Sequence, residues 1–155
     1  GENGPFPIFS LNTTLIRYAD VLLWKAEALI ELNRLDEARL IINRIRDRAA
    51  ASTGRLNEAS LYRIEPYQAF ANQQQARQAL RFERRIELGL EGHRFFDLVR
   101  WGIAKETLDD YFNVERTRKP YLEDAHFTKN KHEYLPIPNQ QINLSGGIYL
   151  QNPGY

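Results

Sequence analysis

Three observations predict a mainly α-helical fold. Apolar residues recur at steps of three and four in separate segments along the first 112 residues, the spacing of one helical face. Only Asn33 and Arg34 break the first two of these stripes, so the helices they form must lie antiparallel. Beyond Asn113 the periodicity fades and prolines and glycines punctuate the chain. The expected architecture is a tetratricopeptide-like antiparallel helix pair, further helices, and a long irregular C-terminal tail, all within a single domain over 1–155.

The first stripe is Leu15, Ala19, Leu22, Ala26 and Leu29, with Ile16, Leu23 and Ile30 as a second line; Thr13 and Thr14 are the candidate caps. Leu35, Ala38, Ile42, Ile45 and Ala49 form the second helix. Asp36 and Glu37 near its start and Arg44, Arg46 and Arg48 near its end complement its dipole. Small Ala26 and Ala38 give the pair its tetratricopeptide character. Only one such unit is clear, whereas an array needs about three or more to bury its faces. The pair must therefore pack on something else.

Residues 50–72, with Gly54 and Pro66, read as a long loop. A third helix is expected over 73–91, ended by Gly92 in a left-handed conformation. A short helix follows over 93–101, broken at Gly102, and another over 103–112. Leu135-Pro-Ile-Pro138 predicts extended backbone. Asn139 is a candidate cap for one turn to Ile142, and Gly146-Gly147 and Asn152-Pro-Gly154 are turns.

Composition narrows the function classes. The chain has 155 residues, enough for one buried core, and its 21 basic and 20 acidic residues nearly cancel. Nucleic acid binding needs clustered excess positive charge, so nucleic acid is not an expected partner. No apolar run approaches the roughly 18 residues that suggest a membrane span. Cysteine is absent, which removes disulfides, thiol catalysis and cysteine-based zinc sites.

Several residues invite a catalytic or ligand-binding reading. Glu83, Glu87 and Glu91 fall four apart, as metal ligands or a glycosidase carboxylate pair would. Like charges at this spacing repel, and Arg84 and Arg94 lie three residues from Glu87 and Glu91, which favours a structural Arg/Glu network. Asp97 has Arg94 and Arg100 one turn away and reads as a paired, partly buried carboxylate. Trp24 and Trp101 could stack on sugars; their helical settings favour the core. Tyr111, Tyr121, Phe127, Tyr134 and Tyr149 lie in or beside irregular backbone, where pinning the tail is favoured over ligand contact. His126, His132 and Glu133, with Glu123 and Asp124 nearby, match no standard zinc or calcium spacing. No Gly-rich phosphate loop or Gly-x-Ser-x-Gly elbow is present, and the few serines suggest no triad. The residues themselves imply no catalytic site, metal or cofactor.

Three segments carry a family resemblance. They are Arg17-Tyr-Ala-Asp-Val-Leu-Leu-Trp-Lys-Ala-Glu-Ala28, the run from Arg81 to Trp101, and Tyr134-Leu-Pro-Ile-Pro-Asn-Gln-Gln-Ile-Asn143 closed by Gln151-Asn-Pro-Gly-Tyr155. In order and spacing they resemble the C-terminal portion of the SusD/RagB family. That resemblance implies a non-catalytic protein at the outer-membrane surface that binds oligosaccharide or polysaccharide and works with a TonB-dependent, SusC-like transporter. It also implies that this chain is the C-terminal part of a longer lipoprotein, mostly its helical scaffold, with any lipid anchor outside these residues. The family's sugar-contacting aromatics lie largely upstream of the matched motifs, so no ligand-binding residue is carried over. Two rivals remain: a tetratricopeptide-like peptide-binding scaffold, and a carbohydrate-active enzyme using the clustered glutamates.

Overall fold

The computed structural model describes residues 14–52 and 63–155. Among these the regular structure is entirely helical: α1 (Tyr18–Glu31), α2 (Leu35–Ala51), α3 (Gln73–Glu87), α4 (His93–Arg100), α5 (Ala104–Glu115) and α6 (Asn139–Leu144), with a 3-10 turn at Pro120–Leu122. The expected mainly α architecture is what is found. The chain forms two compact units, Gly1–Gly89 and Leu90–Tyr155.

In the first unit, α1 and α2 run antiparallel, with the Tyr18 ring at the start of α1 beneath the Arg44 guanidinium near the end of α2. The reversal is completed at Asn33, whose φ of 58° is a left-handed value that asparagine tolerates. Ala26 and Ala38 are both fully buried, as close helix approach requires. Leu23, Leu29, Ile30, Ile42 and Ile45 complete the interface, and α3 closes it with Ala76 and Leu80. Fully burying each of these larger side chains stabilises the unit by about 1.5–3 kcal/mol.

Helix ends differ from the sequence expectations in two places. α1 begins at Tyr18 behind an extended Arg17 that makes no side-chain cap. Thr14 and Leu15 precede it, and Leu15 is exposed rather than on the buried face; Thr13, like Gly54, lies outside the described residues. α3 stops at Glu87, not Glu91, because Leu88 leaves helical geometry and Leu90 takes a φ of 66°. Its start is capped by Asn72, whose side chain accepts from Gln75 N at 2.9 Å while Gln75 Oε1 accepts from Ala71 N at 2.6 Å.

The second unit is built around Leu98, Ala104 and Phe127, flanked by Val99, Ile103 and Leu108. Gly102 at φ 71° ends α4, with Gly102 N donating to Val99 O at 2.9 Å and Ile103 N to Leu98 O at 3.0 Å. Asp109 Oδ1 accepts from Phe127 N at 2.8 Å, and Lys105 Nζ donates to Phe127 O at 3.1 Å, holding the start of the tail on α5. The tail then runs extended through Leu135–Pro138, with Pro138 at φ −55°, ψ 131°. α6 starts directly after it, so Asn139 is the first helical residue instead of the expected cap.

Candidate functional site

Glu83 on α3 is 2% exposed. It is held by Arg46 Nη1 and by the Tyr67 hydroxyl, the latter at 3.1 Å. Glu87 accepts from Arg17 Nη1 at 3.0 Å and from Arg48 Nη2 at 2.6 Å on both oxygens, while Arg17 Nη2 also reaches the Glu87 carbonyl at 2.8 Å. An Arg/Glu network is present, but its partners are distant in sequence. Arg84 does not serve Glu87; it turns to buried Asp20 on α1, at 2.8 Å. Glu91 lies beyond the end of α3, so the three glutamates do not share a helix face. Glu83 and Glu87 border a pocket of about 300 Å³ with Phe82 and Ile86. Their carboxylates meet guanidiniums there, an arrangement that locks three helices together. It is not the open carboxylate pair that glycoside hydrolysis uses.

Asp97 is 5% exposed and takes Arg100 Nε at 2.9 Å, matching the paired-carboxylate expectation. Trp101 is partly buried with the Arg100 guanidinium 4.9 Å over its ring. Trp24 corrects the core assignment: it is 44% exposed. Its position falls beside Val21 and Lys25 on the outer side of α1, while Leu23, Ala26 and Ile30 take the inner side. Tyr18, Val21 and Leu32 are exposed with it, so α1 shows an uncovered apolar surface.

The tail aromatics divide. Phe127 is buried and packs 6.5 Å from Phe95 and 5.6 Å from His132, so it pins the tail. Tyr111, Tyr121, Tyr134 and Tyr149 all keep large exposed areas. The His126 and His132 rings stand 6.1 Å apart. Each Nδ1 is already engaged: His126 with the Asp124 carbonyl at 2.9 Å, His132 accepting from Thr128 N at 2.9 Å. Among the described residues no three His, Cys, Asp or Glu come together as a metal site would require.

Two further concavities are notable. One, of about 340 Å³, is lined by Tyr18, Ala19, Leu22 and Ile45 under Arg17, Arg44 and Arg48. The other, of about 220 Å³, lies in the second unit between the α4–α5 junction and the 129–134 turn. Neither was marked by the sequence, since each is assembled from residues far apart in the chain or in irregular backbone.

The comparisons with known proteins agree on one family. The SusD family profile matches residues 9–155. This chain belongs to the SusD family. It is 32% identical over 148 residues to SusD-like protein P25 of Formosa agariphila, covering 93% of this chain and 24% of the relative. SusD-like protein P2 of the same organism is 31% identical, with 94% and 26% covered. A crystal structure of a SusD superfamily protein from Bacteroides vulgatus superposes with a TM-score of 0.66 at 33% identity, over 90% of this chain and 27% of that one. A SusD homolog from Bacteroides thetaiotaomicron gives the same score and identity. The chain thus spans about a quarter of the length of its SusD-like relatives. No helix among the described residues is long and apolar enough to cross a membrane.

Proposed function

We propose that this chain acts as the C-terminal scaffold portion of a longer SusD-like protein, a non-catalytic binder of glycan at the outer-membrane surface. SusD-family membership supports the glycan-binding class. Cooperation with a TonB-dependent, SusC-like transporter, attachment through a lipid anchor outside these residues, and binding without a cofactor are part of the same proposal. The observation that carries the scaffold assignment is the use of its acids. Glu83, Glu87 and Asp20 are each held by an arginine of another helix, and Asp97 by Arg100 within α4, so the groups that would do acid–base chemistry are spent on holding the helices. The peptide-binding rival has no comparable support, since one tetratricopeptide-like helix pair among the described residues offers no extended repeat groove.

Affinity electrophoresis against a panel of soluble polysaccharides tests the reading, with the chain run beside a full-length SusD-like protein carrying it. Retardation of the full-length protein is expected. Release of reducing sugar from any of the polysaccharides, abolished by Glu83→Gln or Glu87→Gln, would overturn it in favour of an enzyme.

A further inference from the structure

We infer that the pocket at the α4–α5 junction binds a single neutral sugar ring, so that part of the glycan contact lies within this chain. The inference rests on the glycan-binding reading and adds a site to it. Four polar side chains, Lys129, Asn130, Glu133 and Tyr134, line this one concavity together with Gly102 and the first turn of α5. One carboxylate oxygen of Glu133 is buried with no hydrogen-bond partner, a state that costs free energy and that a turn of the carboxylate toward the pocket would relieve on a ligand hydroxyl. That contrasts with Glu83, Glu87 and Asp97, which are met by arginines.

Charge identifies the class of ligand. Lys105 is matched by Asp109 at 2.6 Å, which leaves Lys129 and Glu133 as one charge of each sign. An anion would face the Glu133 carboxylate and a cation the Lys129 ammonium, so a neutral group with several hydroxyls suits the pocket best. A carboxylate and a planar amide can each engage adjacent hydroxyls, and the Tyr134 ring, 53% exposed, offers a flat apolar face for sugar C–H groups. The volume of about 220 Å³ suits one ring rather than a chain. The turn is preorganised: His132 N donates to Thr128 O at 3.0 Å, Thr128 N donates to His132 Nδ1 at 2.9 Å, and Asn130 sits at φ 64°.

The test is a titration of the whole chain with glucose, galactose, mannose, xylose and fucose, followed by amide NMR shifts. At least one sugar should give saturable shifts at Gly102, Asn130 and Tyr134. Glu133→Gln and Tyr134→Ala should each weaken it roughly tenfold, the loss of one strong contact, with the remaining spectrum intact. No saturable shift at these amides with any sugar, wild-type affinity retained in both variants, or the same shifts with inorganic phosphate would each overturn the site. If polysaccharide retards wild type and both variants equally, the site is wrong while the glycan-binding reading stands. If a full-length SusD-like protein carrying this chain binds no glycan, that broader reading is the one that fails.

Discussion

The side-chain amide of Gln151 pairs with the backbone of Ile137 on both sides, accepting from its N–H at 2.8 Å and donating to its carbonyl at 2.9 Å. The same device occurs in the first unit, where Asn43 donates to Tyr67 O at 2.9 Å and accepts from Tyr67 N at 2.8 Å. In each case one amide satisfies an extended residue that has no neighbouring strand to bond with. Asn152 Nδ2 adds a bond to Leu135 O at 2.6 Å, and the Tyr155 hydroxyl one to Tyr134 O at 3.0 Å. The closing Gln-Asn-Pro-Gly-Tyr motif and the Leu-Pro-Ile-Pro segment, two parts of the family signature, are therefore a single interlocked element.

Gln151→Ala removes both bonds to Ile137 and should cost about 1–3 kcal/mol, two ordinary hydrogen bonds. Gln151→Glu keeps the acceptor and loses the donor, so its cost should be intermediate or larger through carboxylate–carbonyl repulsion. Urea unfolding reads the cost, and amide hydrogen exchange at Ile137 should accelerate in both variants. Unchanged exchange at Ile137 would rule out the interlock.

Tyr67 supplies a pH-dependent signal. Burial, then the Glu83 charge and the hydrogen bond to it, push its phenol up from 10 to about 12. The unfolded chain releases this proton near pH 10, so between there and about 12 the folded state binds more protons and stability falls as pH rises. In Glu83→Gln the phenol should titrate closer to the ordinary value. The ring-carbon NMR shift of Tyr67 followed against pH checks this, and ionisation of Tyr67 near pH 10 in the wild type would contradict it.

The Asp20–Arg84 pair is 0% and 1% exposed at its side chains. Removing one member strips a buried charge of its partner at 2.8 Å, so Asp20→Leu or Arg84→Met should each cost about 3–5 kcal/mol. The double variant Asp20→Leu/Arg84→Met should recover much of that loss, because apolar packing replaces the pair without desolvated charge. Thermal or urea unfolding across the cycle decides it; additive losses would mean the two side chains act independently.

Which parts of this were legible in the sequence follows from locality. The rhythm of Ala38, Ile42 and Ile45 marks α2 because a buried helix face repeats at short range, and the two-residue break marks its antiparallel partner. The end of α3 is hidden, since Leu88 and Leu90 continue the apolar rhythm although the helix has stopped at Glu87. The Asn72 cap was readable as Asn-x-x-Gln but sat at the edge of an assumed loop. The arginine one turn from Glu87 in sequence is Arg84, whereas its donors, Arg17 and Arg48, lie 70 and 39 residues off. Amide bonds such as Gln151 to Ile137 carry no periodic signal at all.

Asp97→Ala should lower stability by about 1.5–3 kcal/mol, the range for a hydrogen bond to a charged group, and leave glycan affinity unchanged. Asp97 holds Arg100 within the second unit and does not border the pocket of Glu133. Unfolding curves and affinity electrophoresis on the same preparation separate the two effects. A stable variant with lost retardation would make Asp97 a ligand group.

Trp24→Ala distinguishes surface from core directly. A fully buried tryptophan would cost about 3–5 kcal/mol on truncation. At 44% exposure on the outer side of α1, about half of the Trp24 surface is covered, so the substitution should cost less than that, about 1–2 kcal/mol in this chain. In a longer SusD-like protein carrying these residues the same change should cost more, because the apolar surface formed with Tyr18, Val21 and Leu32 would then be covered. Urea unfolding of both proteins with and without the substitution measures the difference. Equal, small costs in the two would mean that this face of α1 stays in water.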